Sequence, residues 1–409
     1  MKHYDHVVVG MGMSALGVLE GLSNDDTLSI LVVDISNSED EIYYNHDSIF
    51  KFGKIGDGGN SDLWHGVISK ITNLELVNYD ESFDLLFNLY YPGVPKTNFD
   101  SFSFIPFIPL RPKKIIKDKF NGKVEILYDC LRYFEYNENY VELYFVNNTI
   151  TTSKLWLCTG SQGTLKVLNQ SKVLKETDYY LDEHLVGYFG QSKTGITSSN
   201  DKVIFTRKGH SKRFVTVKQE GVRSMYLNIR PAHFGFKNLQ YASKFRSFFG
   251  QSTKMIIVKL FSLLNPALII EALYNKFGIA LPSSINNIVG HVEIERSIRF
   301  DVKSSNFSLN TDSITLTAVE LDVLKSKFGS TFISSDFIPL SPGLHLINLD
   351  KPIGFNYIDE DLTSPAKVNS SICICSGIAL KLKSPVHPTF SLLVLSYLKA
   401  KDIINNNFK

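Results

Sequence analysis

The chain has 409 residues, more than one hydrophobic core usually organises, so two lobes are expected. Its 44% hydrophobic and 21% charged content is that of a folded globular protein. A net charge of +2, with no basic arm and no zinc-ligand spacing, argues against a nucleic-acid partner.

Residues 5–22, DHVVVGMGMSALGVLEGL, read as strand, glycine turn and helix. Gly10, Gly12 and Ala15 fit the dinucleotide fingerprint: a glycine for the tight turn, a second for backbone approach to a pyrophosphate, and a small residue for close helix–strand packing. Ser14 adds a hydroxyl at the helix start, whose free N–H groups suit phosphates. A second buried strand, LSILVVD, ends in Asp34, 22 residues past Gly12, where an acid that binds ribose hydroxyls is expected. The competing reading is a glycine turn of another α/β unit with Asp34 as a strand-end cap.

The loop IGDGGNSDLWHG, residues 55–66, holds the adjacent Gly58 and Gly59, then Asn60 and Ser61, then Trp64 and His65. It is either a turn with core aromatics or a place where backbone presses on a cofactor. SFSFIPFIPLRPKK, residues 101–114, is aromatic and then basic. Residues 123–167 begin as a strand, continue as a meander, and return through the strand LWLCTG to a turn at Thr159 and Gly160 and a helix. That order favours a flavin-type lobe over a run of repeated βαβ units. Arg296 and Arg299 alternate with acids on what reads as a solvated strand face.

Residues 241–281 are strongly apolar with basic flanks, and Asn265-Pro266 marks the start of a second helix. The expectation is a helical pair in the core or a subunit interface; the alternative is a pair lying in a bilayer interface. Near the C-terminus, His345 and His387 stand 42 residues apart, and Pro388 and Thr389 lead into a helix from 390 to 399 with a core-facing apolar pattern. Cys130, Cys158, Cys373 and Cys375 sit in apolar runs, which points to reduced, buried thiols and a reducing, cytoplasmic compartment. Neither a secretion leader nor an 18-residue apolar span is expected.

In order along the chain, these motifs resemble those of the glucose-methanol-choline (GMC) oxidoreductases, and GGNSDLWHG resembles the second flavin loop of their pyranose-oxidase-like branch. LCTGSQGTLKVL is similar to a later strand-and-turn of that family. The resemblance implies FAD held by Gly10, Gly12, Ser14, Ala15, Asp34, Gly58, Gly59, Asn60, Ser61, Thr159, Gly160, Pro388 and Thr389, with Trp64 and His65 along the flavin ring. It also implies His345 and His387 as the catalytic pair. The Gly-Thr that follows the first catalytic histidine in the family is missing after His345.

The expected fold is α/β: an FAD-binding Rossmann-like lobe on a parallel sheet (1–75, 115–175 and 345–409) and an α+β substrate lobe on an antiparallel sheet (76–114 and 176–344). The expected function is FAD-dependent oxidation of an alcohol. By the resemblance, that alcohol is a sugar hydroxyl; in the bilayer reading of 241–281 the sugar is membrane-borne, as on a lipid-linked glycan. The alternatives are a flavin-dependent sugar modification without net redox, and a scaffold protein in a biosynthetic complex that keeps the fold without the chemistry. Location follows the helical pair: cytoplasmic, with peripheral membrane contact in the bilayer reading.

Overall fold

A computed structural model describes residues 1–23, 25–35, 42–44, 51–54, 56, 58–59, 61, 66–71, 76–94, 98–99, 102–192, 204–206, 209–212, 214–231, 266, 269, 273, 284–309, 316–328, 338–339, 347–351, 353, 356–357, 371–380 and 388–407. The chain opens with strand β1 (Lys2–Val9), helix α1 (Met13–Leu22) and strand β2 (Ile30–Asp34). Helix α2 (Tyr79–Tyr90), strand β3 (Ser103–Pro106) and helix α3 (Pro112–Lys119) follow. Strands β4 (Glu125–Tyr128), β5 (Leu131–Tyr136), β6 (Val141–Phe145) and β7 (Thr149–Leu157) lead to helix α4 (Gly160–Gln170).

Strand β8 (Asp178–Ser192) begins a different region, continued by β9 (Val215–Gln219), β10 (Val222–Pro231), β11 (Asn286–Asp301), β12 (Asn306–Leu309), helix α5 (Ala318–Phe328) and β13 (Ile347–Leu349). The chain then returns through β14 (Asn356–Tyr357), β15 (Ile372–Ile374) and the final helix α6 (Thr389–Asn407).

The first sheet runs in the order β14-β15-β7-β1-β2-β4, every one of these pairs parallel, with β6 and β5 adding antiparallel strands beside β7. Its strands come from three separate parts of the chain. The Val7–Val9 end of β1 and residues 30–33 of β2 are apolar because both faces of the sheet are covered there: Val7, Val8, Leu31 and Val32 are all buried. Trp156 in β7 is fully buried beside His6, whose Nδ1 accepts the indole N–H at 3.1 Å.

The second sheet is antiparallel, in the order β9-β10-β11-β8, with β12 on β11 and β13 on β8. Arg299 lies on an exposed face of it, pairing with Asp178 and Asp301, as the alternating charges suggest. Arg296 takes a left-handed conformation (φ 50°) where the β8–β11 register shifts, and its N–H donates to Asp182.

α1 packs closely on α6, bringing the first and last helices together. α2, in the segment allotted to the substrate lobe, also packs on α6. Its Phe83 and Phe87 make edge-to-face contacts with Phe390 and Phe104 at ring separations of 5.2 and 5.4 Å. Glu20 of α1 is buried and ties three helices together, accepting from Lys119 of α3 and from the Tyr90 hydroxyl of α2. Cys158, Cys373 and Cys375 are free and buried, and burial pushes the Cys373 and Cys375 thiols well up; Cys130 is only half-buried. Among the described residues no helix is long and apolar enough to cross a membrane. The pair expected in 241–281 lies outside the described residues apart from Pro266, Ile269 and Leu273, each helical.

Candidate cofactor site

Parallel strands present their C-terminal ends along one edge of the sheet, and ligands of such sheets bind there. Gly10 follows β1 with φ 110° and donates its N–H to the Val33 carbonyl of β2 at 2.7 Å. On its other side a Cβ at Gly10 would stand 2.4 Å from the Cys158 carbonyl oxygen, just past β7. Any side chain there would force the three strand ends apart, so the glycine is a requirement of the turn. α1 then starts at Met13 with Gly12 as its N-cap and no side-chain cap from its own turn. Ser14 and Ala15 are buried in the first turn.

The double-glycine loop reaches this helix start. Ser61 Oγ accepts the Met13 N–H at 3.1 Å and would lie 3.0 Å from a Cβ at Gly12. Gly58 and Gly59 both take positive φ, 81° and 58°, and a Cβ at Gly58 would lie 3.5 Å from the Met11 carbonyl oxygen. The loop's exit is held by a buried relay. The Ile71 N–H donates to the Tyr79 hydroxyl, which donates to Ser391 Oγ, which donates to the Ser69 carbonyl.

Asp34 closes β2 with its carboxylate buried at the same edge. Lys113 of α3 faces it, Nζ to Oδ2 at 4.0 Å, and also lies 5.8 Å from the ring centre of Tyr128, the residue paired with Asp34 in β4. Thr159 and Gly160 begin α4, with Gly160 at φ 68° and Thr159 Oγ1 3.0 Å from Thr164 Oγ1. Pro388 is buried and Thr389 opens α6, with the Pro388 carbonyl taking the Leu392 N–H at 2.8 Å.

Gly10, Gly12, Ser14, Ala15, Asp34, Gly58, Gly59 and Ser61 therefore gather around the turn after β1. Asn60, Trp64, His65, His345 and His387 lie outside the described residues. Lys113 and Tyr128 escaped the sequence reading. Lys113 sits 79 residues from Asp34 in a basic helix with no fingerprint spacing, and only the strand order reveals it.

The donor set fits a dinucleotide. Beyond the Met13 N–H that Ser61 takes, the start of α1 offers first-turn backbone N–H groups and the positive end of a dipole to phosphates. A buried carboxylate at the end of the neighbouring strand offers an acceptor to ribose hydroxyls.

No family model matches the chain, and no curated protein matches it. Among solved structures, pyridoxine 4-oxidase from Mesorbium loti is similar over 98% of this chain and 99% of its own, with a TM-score of 0.52 and 10% identity. A ferredoxin-flavin thioredoxin reductase from Clostridium acetobutylicum matches over 38% of this chain and 37% of its own at 14% identity, with a TM-score of 0.22. The chain thus has an α/β fold shared along nearly its whole length with the pyridoxine 4-oxidase structure, a parallel-sheet lobe joined to an antiparallel one.

Proposed function

We propose that this chain is an FAD-dependent oxidoreductase that oxidises an alcohol group, a sugar hydroxyl on a small or lipid-linked glycan. The observation that carries the flavin reading is the meeting of the α1 N-terminus, the Gly58-Gly59-Ser61 loop and Asp34 at one sheet edge. The fold shared with a protein named as an oxidase of pyridoxine supports oxidation of an alcohol in general. The sugar rests on the resemblance of GGNSDLWHG to the pyranose branch.

Bound FAD would supply the hydride acceptor. The first-turn N–H groups of α1 would hold its pyrophosphate and Asp34 its ribose hydroxyls. In this reading His387 and His345 serve the substrate. One, neutral near pH 7, takes the hydroxyl proton, and the other fixes the alcohol's angle.

The test is the absorption spectrum of the purified protein, before and after acid precipitation, followed by anaerobic addition of candidate sugars. A flavin spectrum that bleaches with a sugar, and stops bleaching in His387→Ala while FAD stays bound, is the expected result. Flavin that no alcohol bleaches would move the reading to redox-neutral chemistry or a scaffold. Colourless protein that takes up no FAD would overturn it.

A further inference from the structure

We propose that Lys113 is a nucleotide-positioning residue that acts with Asp34 as a two-sided grip on the vicinal hydroxyls of the adenosine ribose. This rests on the FAD reading and adds a residue to it.

The carboxylate of Asp34 and the ammonium of Lys113 stand 4.0 Å apart, with side chains 8% and 19% exposed. That is longer than the 2.7–2.9 Å typical of a direct charge-assisted hydrogen bond. A hydroxyl both donates and accepts, so two adjacent hydroxyls satisfy a carboxylate on one side and an ammonium on the other. The ammonium is confined by its surroundings. It lies 5.8 Å from the ring centre of Tyr128, while the Cβ of Lys113, at the other end of the side chain, stands 3.7 Å from where a Cβ at Gly58 would be. The same Gly58 borders the glycine turn through the Met11 carbonyl. Lys113 thus has its ammonium beside the ribose-binding acid and the base of its side chain against the loop that reaches the α1 N-terminus.

The pair also sets a preference. Loss of one hydroxyl removes a partner from the grip, and a phosphate on that hydroxyl would meet the buried carboxylate of Asp34. An unmodified ribose is the group that suits both charges.

The experiment measures FAD binding by flavin fluorescence, and ADP and 2′-deoxy-ADP binding by competition, in wild type, Lys113→Met, Lys113→Arg and the exposed neighbour Lys114→Gln. Losing a charged hydrogen-bond partner should weaken FAD and ADP about tenfold in Lys113→Met. The wild-type preference for ADP over 2′-deoxy-ADP should shrink with it. Lys113→Arg should keep most of both, and Lys114→Gln should behave as wild type. Lys113→Gln, polar but uncharged, carries the same expectation where the Met variant does not fold. Wild-type ADP affinity and wild-type discrimination in the neutral variants would overturn the proposal and reduce Lys113 to an ion pair, leaving the flavin reading intact. Wild-type protein that binds neither FAD nor ADP would overturn both.

Discussion

Gly17 of α1 lies against the backbone of Leu393 in α6: a Cβ on Gly17 would stand 2.1 Å from the Leu393 carbonyl oxygen and 3.0 Å from Ser396 Cβ. One turn on, a Cβ at Gly21 would meet Ala400 Cβ and the Tyr397 carbonyl oxygen, both at 2.6 Å. The two glycines are a groove that receives the last helix. Because the obstacle is backbone, relaxation must move a helix rather than a side chain. Gly17→Ala should therefore cost more than about 3 kcal/mol, the upper end of ordinary overpacking. The midpoint of urea unfolding and the soluble yield will show it; a wild-type midpoint would contradict the packing described.

His6 makes the pH dependence of stability legible. Burial lowers its pKa from 6.5 to about 4, so at neutral pH the ring is uncharged and accepts from Trp156. Unfolded, it takes its proton near pH 6.5. Between those values the unfolded state binds the extra proton, so stability falls as pH drops from about 6.5 to about 4, by roughly 3 kcal/mol from this group. Denaturation of wild type and His6→Gln at pH 7 and pH 4.5 should show the difference between them narrowing or reversing at the lower pH.

A second pH effect comes from Glu320 in α5, which is buried. Burial alone pushes its carboxyl up, but bidentate hydrogen bonds from Arg223 at 2.6 Å and the Thr317 N–H at 2.8 Å more than reverse this and hold it below the usual carboxylate range. Its stabilising contribution is present above the unfolded carboxylate value, about 4.3, and is lost as pH falls through the folded one. Arg223→Met, which strands the carboxylate, should cost about 3–5 kcal/mol at pH 7 and less at pH 3. Thermal melting across that range is the measurement.

Ser61 accepts the Met13 N–H at the start of α1, so Ser61→Ala removes the acceptor that docks the double-glycine loop on the glycine turn. A loss of about 1 kcal/mol is expected, seen as a several-fold weaker FAD affinity with little change in unfolding midpoint. A large stability loss with unchanged affinity would show the bond to be structural only.

The sequence carried the parts of this molecule that depend on local backbone. GMGMSALG, the strand ending at Asp34 and the LWLCTG strand before α4 are each legible because turn, apolar run and helix start lie within a few residues of one another. What it hid depends on contacts between distant segments. Lys113 approaches Asp34 because β4 pairs with β2 and α3 precedes β4. α2 packs on α6 through aromatic rings about 300 residues apart. Ser61 read as a cofactor ligand because a hydroxyl beside two glycines suits that role, while its contact with Met13 needs the loop's path. Gly17 and Gly21 carry a Gly-x-x-x-Gly pattern inside the first helix, a signal that a second helix crosses closely, and that spacing could have been read.

The α1 groove has a consequence for synthesis. Its occupant, residues 393–400, leaves the ribosome roughly 370 residues after Gly17 and Gly21 do. At about 5–20 residues per second the glycine face of α1 waits on the order of half a minute for its partner. During that interval the first strand and helix have only part of their cover, and chaperones have their widest opening to act. Slowed translation of the last hundred codons should lower the soluble yield more than the same delay placed early in the chain.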